Sequence, residues 1–184
     1  MIKELINNLY NYRQLLKSNV QKEIRGKYKG SFLGVLWSFV NPLLMTLVYA
    51  IVFPLILKNT EPHYVTYLVI GILPWSYFTT VIGQGTNTIL VNGGILKKVY
   101  FPREILPISV NLSGIINFLI SCLVMCLFLI CSGIGFSWNI LFFPLILLAQ
   151  FILLQGIIFI TCAINVYVRD LEYIINFIIS MLFY

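Results

Sequence analysis

The residues of this chain that are able to do chemistry are few and scattered: one histidine, six acids, four cysteines and no G-x-x-x-x-G-K-[ST] phosphate loop. His63 has only Glu61 nearby, too small a donor set for a metal, and reads as a solvated turn residue. Glu104, Asp170 and Glu172 each lie close in sequence to Arg103 or Arg169 and read as interfacial ion pairs. Cys122, Cys126, Cys131 and Cys162 fall in or at the edge of apolar runs, the pattern of small buried hydrophobes. No serine, histidine and acid form a recognisable nucleophile arrangement, so no catalytic residue and no metal ligand is assigned. The aromatics offer more. Trp37, Tyr67, Trp75, Tyr77 and Phe78 suit either interfacial anchors or rings facing a path, since aromatic faces stack on the apolar faces of pyranose sugars. Trp75 and Tyr77, beside Pro74 in mid-span, are the best placed for an inward role; belt or packing positions are the simpler reading.

A lipid bilayer has to position these groups. No Lys, Arg, Asp or Glu occurs from Gly30 to Leu57 or from Ile105 to Val168. The chain is 60% hydrophobic, against roughly 45–50% in soluble domains. An apolar helix of about 20 residues crosses the hydrocarbon core. Span 1 is expected near Leu33–Leu57, with a kink or a re-entrant start at Asn41-Pro42, and span 2 near Val65–Ile82. Gly83, Gly85, Asn87, Asn92, Gly93 and Gly94 then break the apolar pattern into a polar connection. Span 3 is expected near Ile108–Cys131 and span 4 near Ile140–Ile164, with a turn over Ser132–Asn139. Tyr173–Tyr184 amounts to about 18 Å of helix, which suits the start of a fifth span in a protein that continues past Tyr184. The expectation is an all-α integral membrane protein: an N-terminal amphipathic interfacial helix, four full transmembrane helices and the start of a fifth. It forms one domain over 1–184, with 1–29 ahead of the membrane and 30–184 the incomplete set of spans.

The positive charges orient it. With the N-terminus inside, the inner segments carry 7 Lys and Arg before span 1, 3 between Lys97 and Arg103, and 1 at Arg169, while the outer turns carry only Lys58. That 11-to-1 bias makes the N-terminus cytoplasmic. It also accounts for the net charge of +6 without nucleic acid as a partner. The first 29 residues are too polar to contain the core of a signal peptide. Ile2, Leu5, Leu9, Tyr12, Leu16, Val20 and Ile24 gather on one helical arc, as in a helix lying in the membrane interface. Arg13 intrudes on that arc and is expected to snorkel sideways. A basic leader that only enforces orientation is the alternative. Gly26, Gly30 and Gly34 share a helical face if the helix runs unbroken, which suits close packing; a loop with permissive glycines fits equally.

Three blocks resemble a known family. Arg25-Gly-Lys-Tyr-Lys-Gly-Ser-Phe-Leu-Gly-Val-Leu-Trp-Ser-Phe-Val-Asn-Pro-Leu-Leu-Met45 is similar to the start of the ABC-2 type permeases that export polysaccharides such as O-antigen, capsule and teichoic acid. Ile95-Leu-Lys-Lys-Val-Tyr-Phe-Pro-Arg-Glu-Ile-Leu-Pro107 resembles that family's loop between spans 2 and 3, and Asn165-Val-Tyr-Val-Arg-Asp170 its connection between spans 4 and 5. The resemblance covers essentially the whole chain. It implies a permease of the bacterial cytoplasmic membrane, six spans when whole, working as a homodimer around a path for an undecaprenyl-linked glycan. It implies no cofactor on this chain, because a separate ATPase subunit binds the ATP. The N-terminal helix and the loop Thr86–Lys98 (Thr86, Asn87, Asn92, Gly93, Gly94, Lys97 and Lys98) would contact that ATPase, and Gly26, Gly30, Gly34 and Pro42 would act in packing or as hinges. Lys97, Lys98 and Arg103 would attract the lipid pyrophosphate, although positive-inside topology explains those charges as well.

Other readings are an ABC-2 drug or lipid exporter, a membrane enzyme acting on polyprenyl lipids, and a structural membrane subunit. Drug exporters usually lack the Tyr28–Met45 signature. An enzyme needs clustered ionisable groups at one interface, and a structural subunit needs no sided lever beside a glycine-rich segment.

Overall fold

The structure is a computed structural model describing residues 2–28, 64–131 and 138–183, with scattered positions between 30 and 52 and at 133. The expected first span lies mostly outside the described residues, as do His63, Gly34 and Pro42. The described residues form helices α1 (Ile2–Asn11), α2 (Arg13–Tyr28), α3 (Tyr64–Val91), the single turn α4 (Gly93–Leu96), α5 (Ile105–Cys131), α6 (Phe143–Asn165) and α7 (Leu171–Leu182). A 3-10 turn, Trp138–Phe142, leads into α6. The helical class expected from the sequence is therefore found. Among the described residues three helices are long and apolar enough to cross a membrane, on α3, α5 and α6.

A lipid solvent explains their surfaces. Leu145, Ile146, Ile152, Leu153 and Ile160 stay exposed along α6, a density of apolar side chains that a soluble monomer would not leave in water. Inside, α3 packs between α5 and α6 over Val69, Leu73, Val81, Leu154 and Ile158. α7 leans on α3 and α6, and α2 lies across α5.

Span 2 does not end at Ile82. α3 runs 28 residues to Val91, about 42 Å at 1.5 Å per residue, through the glycines expected to break it. Each helical glycine costs only about 1 kcal/mol, and here tertiary contacts return it. At Gly85 an added Cβ would sit 2.6 Å from Ile158 Cγ2, so the missing side chain lets α6 close on α3. The Thr86 hydroxyl donates to the Ile82 carbonyl one turn back, at 2.8 Å. Only Asn92 interrupts the helix before α4, and the glycine-rich loop is thus a helix end.

α1 and α2 behave as one rod: Tyr12, the residue between them, donates its N–H to Asn8 O at 2.9 Å and accepts from Leu16 N at 3.0 Å. The apolar arc read from the sequence is used partly by the protein itself. Leu9, Tyr12, Leu15 and Leu16 pack on Phe101, Ile105 and Leu106 at the start of α5. Arg13 leaves the arc sideways, its guanidinium 5.0 Å from the centre of the Tyr10 ring. Gly26 and Gly30 show no close packing: α2 is described to Tyr28, Gly30 takes φ +81, and a Cβ on either glycine would meet nothing within 4 Å.

Polar groups tie the three long helices together. Tyr77 donates its hydroxyl to Asn111 Oδ1 at 2.7 Å, and Asn111 Nδ2 donates to Phe151 O at 3.1 Å and Gln155 Oε1 at 3.0 Å. Asn111 is fully buried. Replacing it with Leu leaves Tyr77 and Gln155 without these partners in an apolar interior, a cost of about 1–3 kcal/mol. Asn111→Leu is therefore expected to lower the thermal midpoint of the purified protein, and adding Tyr77→Phe should recover part of the loss; equal midpoints for wild type and Asn111→Leu would refute the account.

Candidate functional site

One end of the bundle gathers the cations. The turn Lys97–Glu104, the connection Val166–Asp170 and the α1–α2 rod all lie there, because α2 packs on the start of α5 and Asn165 at the end of α6 donates its Nδ2 to Thr86 O near the end of α3, at 3.2 Å. Lys97, Lys98, Arg103 and Arg169 are exposed at this basic end. Lys22 on α2 reaches across to Asn92, its Nζ donating to Oδ1 at 2.6 Å, while Asn92 Nδ2 donates to Thr88 O at 2.8 Å. A cation held beside the last turn of α3 also meets the negative end of that helix.

Two cavities open between α3 and α7. The larger of the two, about 490 Å³, has Trp75, Ser76 and Thr79 on α3, Asn176 and Ser180 on α7, Phe183 just beyond it, and Asn41 among its lining residues. Trp75 stacks on Phe78 with centroids 5.3 Å apart and meets Phe183 at 5.8 Å. The second, about 350 Å³, lies toward the basic end and is lined by Gln84, Asn87 and Thr88 of α3, Asn92 just beyond it, Glu172 and Asn176 of α7 and Glu23 of α2, among others. Asn176 belongs to both, so they adjoin along one helix seam.

The residues named from sequence separate accordingly. Trp75 lines the aromatic cleft, whereas Tyr77 is 4% exposed, stacks on Phe118 at 5.4 Å and bonds Asn111; it is a core residue and faces no path. Thr86 and Asn92 are buried and internally bonded, whereas Gly94, Lys97 and Lys98 are exposed, Gly93 is half-buried and Asn87 lines the polar cavity. Arg103 is exposed two residues before α5. Sequence reasoning passed over Glu23, Gln84, Thr88 and Asn176. The missed signal was the spacing Glu172, Asn176, Ser180, three polar residues at intervals of four in an otherwise apolar helix.

A membrane-embedded bundle with a cationic end and a polar seam fits a permease better than an enzyme, and the chain belongs to the ABC-2 type transporter family, whose model matches residues 14–184. It is similar to the O-antigen export system permease protein RfbA of Myxococcus xanthus, with 37% identity over 98% of this chain and 69% of that protein. Two proteins of the same name from Klebsiella pneumoniae are each 33% identical over 92% of this chain and 66% of their own length. The chain thus spans about two thirds of these relatives.

Proposed function

We propose that this chain is the membrane-spanning part of an exporter that moves a lipid-linked polysaccharide across the bacterial cytoplasmic membrane, with its N-terminus and basic end in the cytoplasm. The similarity to O-antigen export permeases over nearly the whole chain carries the reading. The fold supports it physically: an amphiphilic seam of aromatic, hydroxyl and amide groups suits a sugar chain. Two copies would enclose the path, and a separate ATPase would dock on the basic end, against α1–α2 and the exposed Gly94, Lys97 and Lys98. Lys97, Lys98 and Arg103 would hold the pyrophosphate of an undecaprenyl carrier. Deleting the gene is expected to retain glycan inside the cell and remove it from the surface; unchanged surface glycan would end this reading. The orientation is tested separately. A cysteine placed at Lys98, with the native cysteines replaced, should resist an impermeant maleimide in intact cells and react after permeabilisation, and labelling in intact cells would invert the threading.

A further inference from the structure

We infer that the polar cavity toward the basic end is a binding site for a neutral, hydroxyl-rich sugar residue. This rests on the exporter reading and names what the seam recognises first.

The cavity holds hydrogen-bonding groups that the fold leaves uncommitted. Thr88 is 4% exposed and lines it, yet its hydroxyl makes no hydrogen bond among the described residues. Several other helical hydroxyls close onto their own backbone: Thr79 on Ser76 O, Thr86 on Ile82 O, Ser109 on Leu106 O, Ser113 on Val110 O and Ser180 on Asn176 O. The Thr88 oxygen is not one of the fully enclosed unpaired polar atoms among the described residues; it opens onto the cavity and can bond whatever enters there. The side-chain amides of Gln84, one turn back along the same helix, and of Asn87, next to Thr88, also line the cavity and make no hydrogen bond among the described residues. Glu172 comes from α7 and Glu23 from α2, so three elements converge on one volume of about 350 Å³, the lower end of the range for small-molecule sites.

The chemistry narrows the occupant. Two carboxylates disfavour a phosphate or an acidic sugar. Open amides and a hydroxyl disfavour an acyl chain, which would bury them unpaired. No group of three or more metal-ligating side chains occurs among the described residues. A sugar ring answers all three: its vicinal hydroxyls donate in pairs to a carboxylate, and its oxygens exchange hydrogen bonds with amides. Asn176 links this cavity to the Trp75 cleft, so a sugar seated here adjoins an aromatic surface on which a neighbouring ring can stack.

The full-length protein, purified with its ATPase into lipid nanodiscs, would be probed by saturation-transfer NMR with free D-glucose, D-galactose, D-mannose, L-rhamnose and N-acetylglucosamine. Transfer to at least one sugar is expected. Losing two hydrogen bonds should weaken binding about tenfold in the double variant Thr88→Val with Asn87→Ala. Thr88→Ser, which keeps the hydroxyl, should bind normally, as should Trp138→Ala at an exposed remote site. No transfer to any of the five sugars, or equal transfer in the double variant, would overturn the inference, and so would displacement of the sugar by millimolar magnesium. An outcome of that kind in a protein whose deletion still traps glycan would leave the exporter reading standing.

Discussion

A single methyl group at Gly114 should cut the amount of folded protein several-fold. A Cβ built there lies 2.2 Å from Val81 Cγ2 and 3.0 Å from Tyr77 Cε2. Neither neighbour has room to give way. Val81 is fully buried and β-branched, with one strongly favoured helical rotamer. Tyr77 is held by its hydrogen bond to Asn111 and its stack on Phe118. Overpacking of this kind costs about 1–3 kcal/mol, and a loss of 1–2 kcal/mol is enough to change abundance several-fold in cells. Gly156, where an added Cβ meets nothing within 4 Å, should accept Ala at no cost. The contrast isolates the α3–α5 contact from any general intolerance of alanine. Removing the opposing methyls with Val81→Ala should restore Gly114→Ala toward wild-type levels in membrane fractions. A Gly114→Ala protein as abundant as wild type, or one that Val81→Ala fails to rescue, would mean that α3 and α5 do not approach this closely.

The charge-free stretches announced a membrane protein, because placing a charge in hydrocarbon costs several kcal/mol and the long gaps in the charge map have no other economical cause. The positions of α5 and α6 followed directly. The end of α3 did not, because propensity counts Gly83 and Gly85 as breakers while Ile158 and Asn176 approach just where those glycines lie. A local rule cannot see a partner more than 70 residues away. The same blindness kept an inward role open for Tyr77 beside the simpler packing reading, since the Asn111 that claims its hydroxyl sits 34 residues downstream. The N-terminal helix shows the converse. Its sided apolar arc was legible, and the choice between lipid and protein as the occupant of that face was not, since Phe101, Ile105 and Leu106 are as apolar as an acyl chain. The polar seam was hidden for a different reason. Glu172, Asn176 and Ser180 mean little on one short helix and gain meaning only when Gln84, Asn87 and Thr88 of α3 face them.

Severing the contact between Lys22 and Asn92 should reduce glycan export about tenfold while leaving the amount of protein in the membrane unchanged. The N-terminal rod is attached at two places. Leu9, Tyr12, Leu15 and Leu16 fix its first half to the start of α5, and Lys22 fixes its second half to the end of α3 at 2.6 Å. With both attachments, a displacement of the rod must carry the end of α3, and with it the α3–α7 seam. Without the second, the half-buried Val20, Glu23 and Ile24 still rest the second half of α2 on the bundle, but its polar tie to the end of α3 is gone, so less of the work done on the rod reaches the cavities. Lys22→Ala leaves Asn92 with its bond to Thr88 O, and the apolar attachment of the rod is untouched, which is why folding should survive. Lys22→Arg keeps a cation able to reach Asn92 and should keep export. ATP hydrolysis by the partner subunit should continue in Lys22→Ala, since the motor itself is unaltered; hydrolysis without export is the signature of a cut linkage. If export instead falls only in proportion to protein level, or persists at the wild-type rate in Lys22→Ala, the second attachment transmits nothing and α2 acts on the bundle through α5 alone.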